Sequence, residues 1–312
     1  MKERIRDQLP LIVLVLLVVA VGSIEPGFFE VGNLLTVTAD TMTLFLMASG
    51  ATFVIMMGGI DLSIQAVASM TSCIVAALLP QLGPAAIPVA LFAGAAAGLL
   101  CGVVTTRLRI PSFIASLAVS GIVTTVAYWA SDTRSVLIAA GDRDSFLAWA
   151  VGDTGPVQNE ILVGIAVLLA LSLLLNGTPF GRYVRAIGSQ ERAVVASGIP
   201  VERVKILAFT LSGLMAGLAG VVMAGRLGSG SPTLANEFLL PAIACIIVGG
   251  TAITGGVGSI FKTFVGALTI AVVRIGMTFV GVSVFAQQIV FGLILVLAVA
   301  ITMDRGKVTT VK

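Results

Sequence analysis

TMTLFLMASGATFVIMMGGIDLSIQAVASMTSCIVAALL, residues 41–79, holds one charge, Asp61, in two apolar runs that meet at Gly58-Gly59-Ile60-Asp61. A membrane helix needs about 20 predominantly apolar residues, and fewer where it is broken or enclosed by protein. Each run, 41–57 and 62–79, reads as a span. The paired glycines interrupt the first run, and Asp61 is placed to cap the start of the second by accepting backbone N–H groups.

The same reading extends outward in both directions. Apolar runs recur at 9–24, 86–105, 112–130, 161–176, 204–224, 238–250, 263–281 and 284–303, which with the central pair gives about ten spans. The run 238–250 is too short to cross alone and points to a broken helix. Across the 312 residues 58% are apolar and only 11% charged, against roughly 25% charged in soluble domains. No polar segment is long enough to form a soluble domain, so residues 1–312 read as one membrane domain. Met1 to Arg6 followed by Leu9 to Val21, with the small Ala20, Gly22 and Ser23, has the parts of a signal peptide. The apolar runs that follow at once favour an uncleaved first span.

Cytoplasmic loops of membrane proteins carry an excess of Lys and Arg. With the N-terminus inside, the inner set holds Lys2, Arg4, Arg6, Arg107, Arg109, Arg182, Arg185, Arg192, Arg203, Lys205, Lys262, Arg305, Lys307 and Lys312. The outer set holds Arg134, Arg143 and Arg226, and Arg274 falls inside a span. Fourteen against three fixes the expected orientation, with both termini cytoplasmic. The net charge of +3 is therefore a matter of topology, and no basic face for nucleic acid is formed. The external loop 131–160, net −3, is the largest outer surface; a docking site for an external partner and a plain solvated loop both fit it.

Several chemistries are excluded or left without support. There is no His, and Cys73, Cys101 and Cys245 stand apart inside apolar runs, so neither a metal site nor a disulfide framework is expected. The commonest general base is missing and no nucleophile has a recognisable base and orienter. The stretch Val248-Gly249-Gly250-Thr251-Ala252-Ile253-Thr254-Gly255-Gly256-Val257-Gly258-Ser259 is rich in glycine. It lacks the Gly-x-x-x-x-Gly-Lys-Ser/Thr pattern of a phosphate loop, which is absent from the whole chain. Its glycines suit close helix approach or a backbone break.

Inner segment 177–205 is polar and punctuated by Gly and Pro, the mark of a structured excursion from the membrane. Ser189 is placed to cap a short helix over about 190–197, Gly198 to end it, and Pro200 to open the next. Within it Ala193, Val194 and Ala196 are small or apolar beside the charged Glu191 and Arg192. Seating in a partner's groove and lying on lipid headgroups are both open readings. An intramembrane Arg such as Arg274 should face the bundle interior or a wet cavity, where it contacts solute or pairs structurally. Gln287 and Gln288 fit either an entrance or interhelical hydrogen bonding. Asp61 lies near the cytoplasmic boundary by span count, where it acts as a cap or as part of a gate.

Four ordered stretches resemble the ribose-type (simple sugar) ABC transporter permease family, which is related to the branched-chain amino acid permeases. They are Thr52 to Ser63; Arg107-Leu108-Arg109-Ile110-Pro111-Ser112-Phe113-Ile114; Phe180-Gly181-Arg182 through Gly188 with Ala196-Ser197-Gly198-Ile199; and Gly249-Gly250-Thr251 through Ser259 with Gln287-Gln288-Ile289-Val290. The likeness covers about residues 25–305. It implies an all-α membrane protein, a polytopic bundle of about ten transmembrane helices with a short cytoplasmic coupling helix. The activity it implies is that of a transport subunit without catalysis of its own. It also implies a second permease subunit as homodimer or paralogous heterodimer, a cytoplasmic ABC ATPase that holds the ATP and Mg, and a periplasmic or lipid-anchored solute-binding protein. By that resemblance, coupling to the ATPase rests on Arg182, Glu191, Arg192, Ala193, Ala196 and Gly198. The signature or gate is Gly58, Gly59, Asp61 and Ser63. Arg274, Gln287 and Gln288 are the pathway candidates. Two positions depart from the pattern: Arg274 stands where neutral residues are expected, and Gln65-Ala66-Val67 replaces the usual continuation after Asp61-Leu62-Ser63. An ion-gradient-driven secondary transporter, and an ABC permease for a nucleoside or branched-chain amino acid, are the alternatives.

Overall fold

The computed structural model describes the backbone of residues 2–302 and the side chains of residues 8–283 and 286–300. The charges of Lys2, Arg4 and Arg6, and Arg305, Lys307 and Lys312 with the C-terminal placement expected from them, lie outside the described residues. The chain is helical nearly throughout: α1 (Lys2–Ile24), α2 (Val31–Met56), α3 (Ile64–Leu82), α4 (Ala86–Arg107), α5 (Ser112–Ser131), α6 (Asn159–Gly177), α7 (Pro179–Ala196), α8 (Val201–Leu227), α9 (Leu239–Val248), α10 (Ile260–Phe279) and α11 (Val284–Thr302). Among the described residues six helical stretches are long and apolar enough to cross a membrane: Val31–Met56, Ile64–Arg107, Ser112–Ser131, Asn159–Gly177, Val201–Leu227 and Ile260–Phe279. The 44-residue stretch is α3 and α4 joined by the tight turn Gly83–Ala85. Shorter apolar helices cover Gln8–Ile24, Asn236–Val248 and Ala286–Ala300.

The first half of the central pair begins ten residues earlier than the apolar run at 41 suggests. Thr36, Thr38 and Thr41 return their hydroxyls to the carbonyls of Gly32, Leu34 and Val37. Such back-bonding lets polar residues continue a helix. From Thr41 to Met56 every residue of α2 is buried, so this helix runs through the middle of the bundle. Its apolarity on all sides is what such a position requires. In contrast α5 and α6 expose Leu117, Ile122, Leu169 and Leu173, the surface expected against lipid tails.

Helix association in lipid depends on close packing and interhelical hydrogen bonds, since lipid is as apolar as Leu. The tightest pair here is α4 on α8. Gly94, Gly98 and Gly102 fall on one face at four-residue spacing and meet Phe209, Gly213 and Gly217; a Cβ on Gly102 would stand 2.9 Å from Ile206 Cα, and one on Gly213 2.8 Å from Gly98 N. Hydroxyls bridge other pairs. Thr52 and Thr263 lie 3.0 Å apart between α2 and α10, and Thr71 donates to Gly217 O at 3.1 Å between α3 and α8.

The segment between α5 and α6 is an ordered cap. It carries β1 (Val136–Leu137), short helical turns over 140–151, and a hairpin of β2 (Asp153–Thr154) and β3 (Val157–Gln158). Strand β1 pairs antiparallel with β4 (Ser229–Gly230), tying the cap to the end of α8.

Candidate functional site

The break between α2 and α3 carries unpaired backbone groups into the protein interior, where each must find a partner. Two serines on the first turns of α5 supply them: Ile60 N–H donates to Ser112 Oγ at 2.9 Å and Leu62 N–H to Ser116 Oγ at 3.0 Å. Asp61 is buried and accepts three hydrogen bonds, from Ser63 N–H (2.9 Å) and Ser63 Oγ (2.6 Å) at Oδ1 and from Ser212 Oγ (2.7 Å) at Oδ2. It makes no ion pair among the described residues. The N-cap position of α3 is Ser63, and no side chain caps the helix start; Asp61 stands two residues earlier and accepts from the Ser63 N–H, so the expected cap is corrected to a turn contact before the helix. Ser212 lies eleven residues into α8, roughly 16 Å along that helix. Asp61 thus braces α3 against α8 well inside the bundle.

The expected short helix over about 190–197 is present, set off at Gln190 from a preceding helix that the sequence alone does not separate. Helix α7 starts at Pro179, where Thr178 accepts from Gly181 N–H, and kinks at Gln190 (φ −162°, ψ 81°) before a last turn ends at Ala196. Ser189 does not cap; its hydroxyl returns to Arg185 O at 3.0 Å. Gly198 has φ +75°, the left-handed ending expected. The apolar face of α7, Val184, Ile187 and Val194, is buried, while Arg182, Glu191, Arg192, Ala193, Ala196 and Gly198 are exposed together. Arg185 ties this helix to α6 through Leu175 O and Asn176 Oδ1, at 3.1 and 2.6 Å. The Glu191–Lys205 pair, 2.7 Å, ties it to α8.

Two glycine-rich stretches that are far apart in sequence converge on Gly188 of α7. The loop 249–259 returns to the end of α2, where Gly256 N–H donates to Met56 O at 2.8 Å. Gly188 seats on that hydrogen bond. A Cβ there would fall against Met56 O and Gly256 N, far inside the 3.0 Å that real Cβ atoms keep, with Met56 C at 3.0 Å. Opposite it Gly255 (φ +87°) would bring a Cβ to 2.9 Å from Gly188 Cα and 3.0 Å from Gly58 N. Only glycine meets both that dihedral and that proximity. The rings of Phe53 and Phe180, 5.7 Å apart, extend the contact. Beside this junction opens a cavity of about 600 Å³ lined by Gly58, Gly59, Arg109, Ser112, Glu191 and Lys205, among others.

Arg274, Gln287 and Gln288 are brought together at the opposite end of α10, away from Gly58, Gly59, Asp61 and Ser63. They line one small cleft with Glu237 and Phe238. The guanidinium of Arg274 lies 5.5 Å from the Phe238 ring centroid. Gln288 Nε2 donates to Glu237 O at 3.1 Å, and the buried Gln287 donates to Thr278 Oγ1 and Val282 O at 3.3 and 3.2 Å.

A second polar group had no sequence signal in its favour. Arg226, in the last turn of α8, bridges Asp40 of α2 and, at 3.2 Å, the buried Glu160 of α6. Asp40 lies outside the apolar runs, and residues separated by 186 positions show no spacing that would pair them. The Gly94-Gly98-Gly102 face was not singled out from the sequence either, although its four-residue spacing is a signal that could have found it.

The chain matches known proteins over most of its length. A family profile described as "Branched-chain amino acid transport system / permease component" matches residues 33–299. The ribose import permease protein RbsC of Escherichia coli (strain K12) is 33% identical over 96% of this chain and 94% of that protein. RbsC of Bacillus subtilis (strain 168) is 34% identical over 96% and 92%. The L-arabinose transport system permease protein AraH of Escherichia coli (strain K12) is 34% identical over 97% and 92%. No solved structure gives a significant match. With half a dozen apolar stretches able to cross a membrane and a family profile spanning nearly all of it, this multi-pass membrane protein belongs to the branched-chain amino acid transport system permease component family.

Proposed function

We propose that the chain is the transmembrane permease subunit of an ATP-driven ABC importer and forms the translocation path for a sugar, ribose-like or another simple monosaccharide. The observation that carries this reading is the docking of α7. Its outer face offers Arg182, Arg192, Ala193 and Ala196 to a partner, and its inner face rests on Met56 and Gly256 through Gly188. A push on α7 then reaches the Gly58–Asp61 break and the 249–259 loop directly. Names of relatives that import ribose and arabinose support a sugar as solute.

In this reading residues 1–312 form one domain of ten spans in the bacterial cytoplasmic membrane, with α9 a half-span that ends at the glycine loop and loop 131–160 outside. A second permease subunit completes the path, a cytoplasmic ATPase binds ATP and Mg, and an external solute-binding protein delivers the sugar. This chain binds no nucleotide. Closure of the ATPase pair moves α7, and the bundle exchanges inward for outward access.

The test is a mild-detergent pull-down of the chain from its native membrane, followed by uptake in proteoliposomes. A P-loop ATPase and a secreted binding protein in the pull-down, with uptake that needs ATP, support the importer. Uptake that persists without ATP and collapses with an uncoupler would sink it in favour of a secondary transporter.

A further inference from the structure

Arg274 sits fourteen residues into α10, near its outer end by the charge-based orientation, and is exposed along the helix flank. A guanidinium in a membrane helix is costly unless it faces water, a cavity or a partner charge. Among the described residues Arg274 makes no ion pair. Glu237 lines the same cleft and gives its backbone oxygen to Gln288, and its carboxylate forms no ion pair with the guanidinium. The Phe238 ring occupies one face of Arg274 and so holds the planar donor fork in place.

The remaining groups have a matched polarity. Gln288 spends an N–H on Glu237 O, so its amide oxygen stays available as an acceptor. Gln287 is buried and fixed by two hydrogen bonds, a support for its neighbour rather than a ligand. The set therefore brings one cation, one amide acceptor and an aromatic ring to the lining of one cleft. A bidentate guanidinium fits a carboxylate, and an amide oxygen accepts from a hydroxyl. The cleft is shut down to about 20 Å³, so a solute engages this cluster from its exposed side.

We infer that Arg274, Phe238 and Gln288 form a solute-recognition site on the outer part of the path, and that the solute class it favours is a sugar acid. This rests on the importer reading above and narrows it from simple sugars to polyhydroxylated carboxylates.

The test uses the full chain in nanodiscs of phosphatidylcholine, with radiolabelled galacturonate, glucuronate and gluconate set against galactose, glucose and ribose. At least one acid should bind at least tenfold more tightly than its neutral counterpart. Arg274→Gln should weaken that binding at least tenfold without changing the thermal midpoint of the chain, and Arg274→Lys should restore part of it. Equal binding of acids and neutral sugars, or acid binding untouched by Arg274→Gln, overturns the assignment. So does the absence of acid binding together with co-purified phosphatidylglycerol that Arg274→Gln releases, which would make the site a lipid headgroup contact. Uptake by the assembled transporter separates the two levels. If no solute is taken up with ATP the importer reading fails. If ATP-driven uptake persists and Arg274→Gln leaves the acid-to-neutral ratio unchanged, the site assignment alone fails.

Discussion

Replacing Gly188 with Ala adds one methyl group at the place where α7 meets the end of α2. The added Cβ would fall on the Met56 O···Gly256 N hydrogen bond, well inside the 3.0 Å limit. Both contacts are backbone atoms, so no side chain can swing aside. Either that hydrogen bond opens or α7 withdraws by a distance on the order of 1 Å. Overpacking of this kind costs about 1–3 kcal/mol, which at 1.36 kcal/mol per tenfold is roughly 5- to 150-fold in the population of the seated state. The assay is ATP-driven uptake beside ATP hydrolysis by the same reconstituted complex. Uptake is expected to fall at least about fivefold, the low end of that range, while basal hydrolysis stays within twofold, because the outer face of α7 is untouched. Gly121→Ala is the control, since nothing lies within 4 Å of its Cβ. Full uptake in Gly188→Ala would refute the idea that this junction transmits motion.

Other changes test the remaining contacts. Asp61→Ala strips the acceptor from Ser63 N–H, Ser63 Oγ and Ser212 Oγ; leaving buried donors unmet costs about 1–3 kcal/mol each, so the thermal midpoint in detergent should drop, and by less in Asp61→Asn. Gly98→Leu should force α4 from α8 and lower the midpoint by several degrees, whereas Gly121→Leu should not, as read by thermal unfolding of the two variants. Arg226→Gln leaves Asp40 facing the buried Glu160 and should destabilise by about 1–3 kcal/mol, discounted for partial exposure; the double variant with Glu160→Gln should recover most of it in the same assay. Glu191→Lys sets two cations at the pair with Lys205 and should lower coupled uptake more than expression, measured by the ratio of uptake to membrane-inserted protein.

Much of the fold can be read from hydropathy because membrane crossing leaves little choice of structure: a backbone in lipid must be helical, and its side chains must be apolar. That is why the run at 112–130 corresponds to Ser112–Ser131 within a residue, and why the short run at 238–250 appears as a ten-residue helix that stops at glycines. The start of α2 was hidden because threonines that hydrogen-bond back to their own helix look polar in sequence. Ser189 was misread as a cap because a hydroxyl on the preceding turn has a nearer acceptor in Arg185 O. For the candidate site, the glycine stretches at 58–59 and 249–259 could be singled out separately. That Gly188 joins them depends on its contacts with Met56, 132 positions away, and Gly256, 68 positions away, which no local pattern encodes. The face of α7 was legible in part: Glu191, Arg192, Ala193 and Ala196 are exposed, whereas Val194, grouped with the two alanines in the sequence, turns inward.

Helix α8 is a 27-residue rod, roughly 40 Å long. The Glu191–Lys205 pair grips it near one tip, Arg226 holds the other to Asp40 and Glu160, and Gly213, close to its midpoint, is wedged against Gly94 and Gly98. The close contacts of α8 do not stop at the centre: Ile206 lies against Gly102, Gly220 against Ala68 and Thr71, and Gly225 against Val151. A rod held at so many points has no free pivot, so a load applied at the α7 tip is shared with α3 and α4 before it reaches the Arg226 bridge to Asp40 and Glu160.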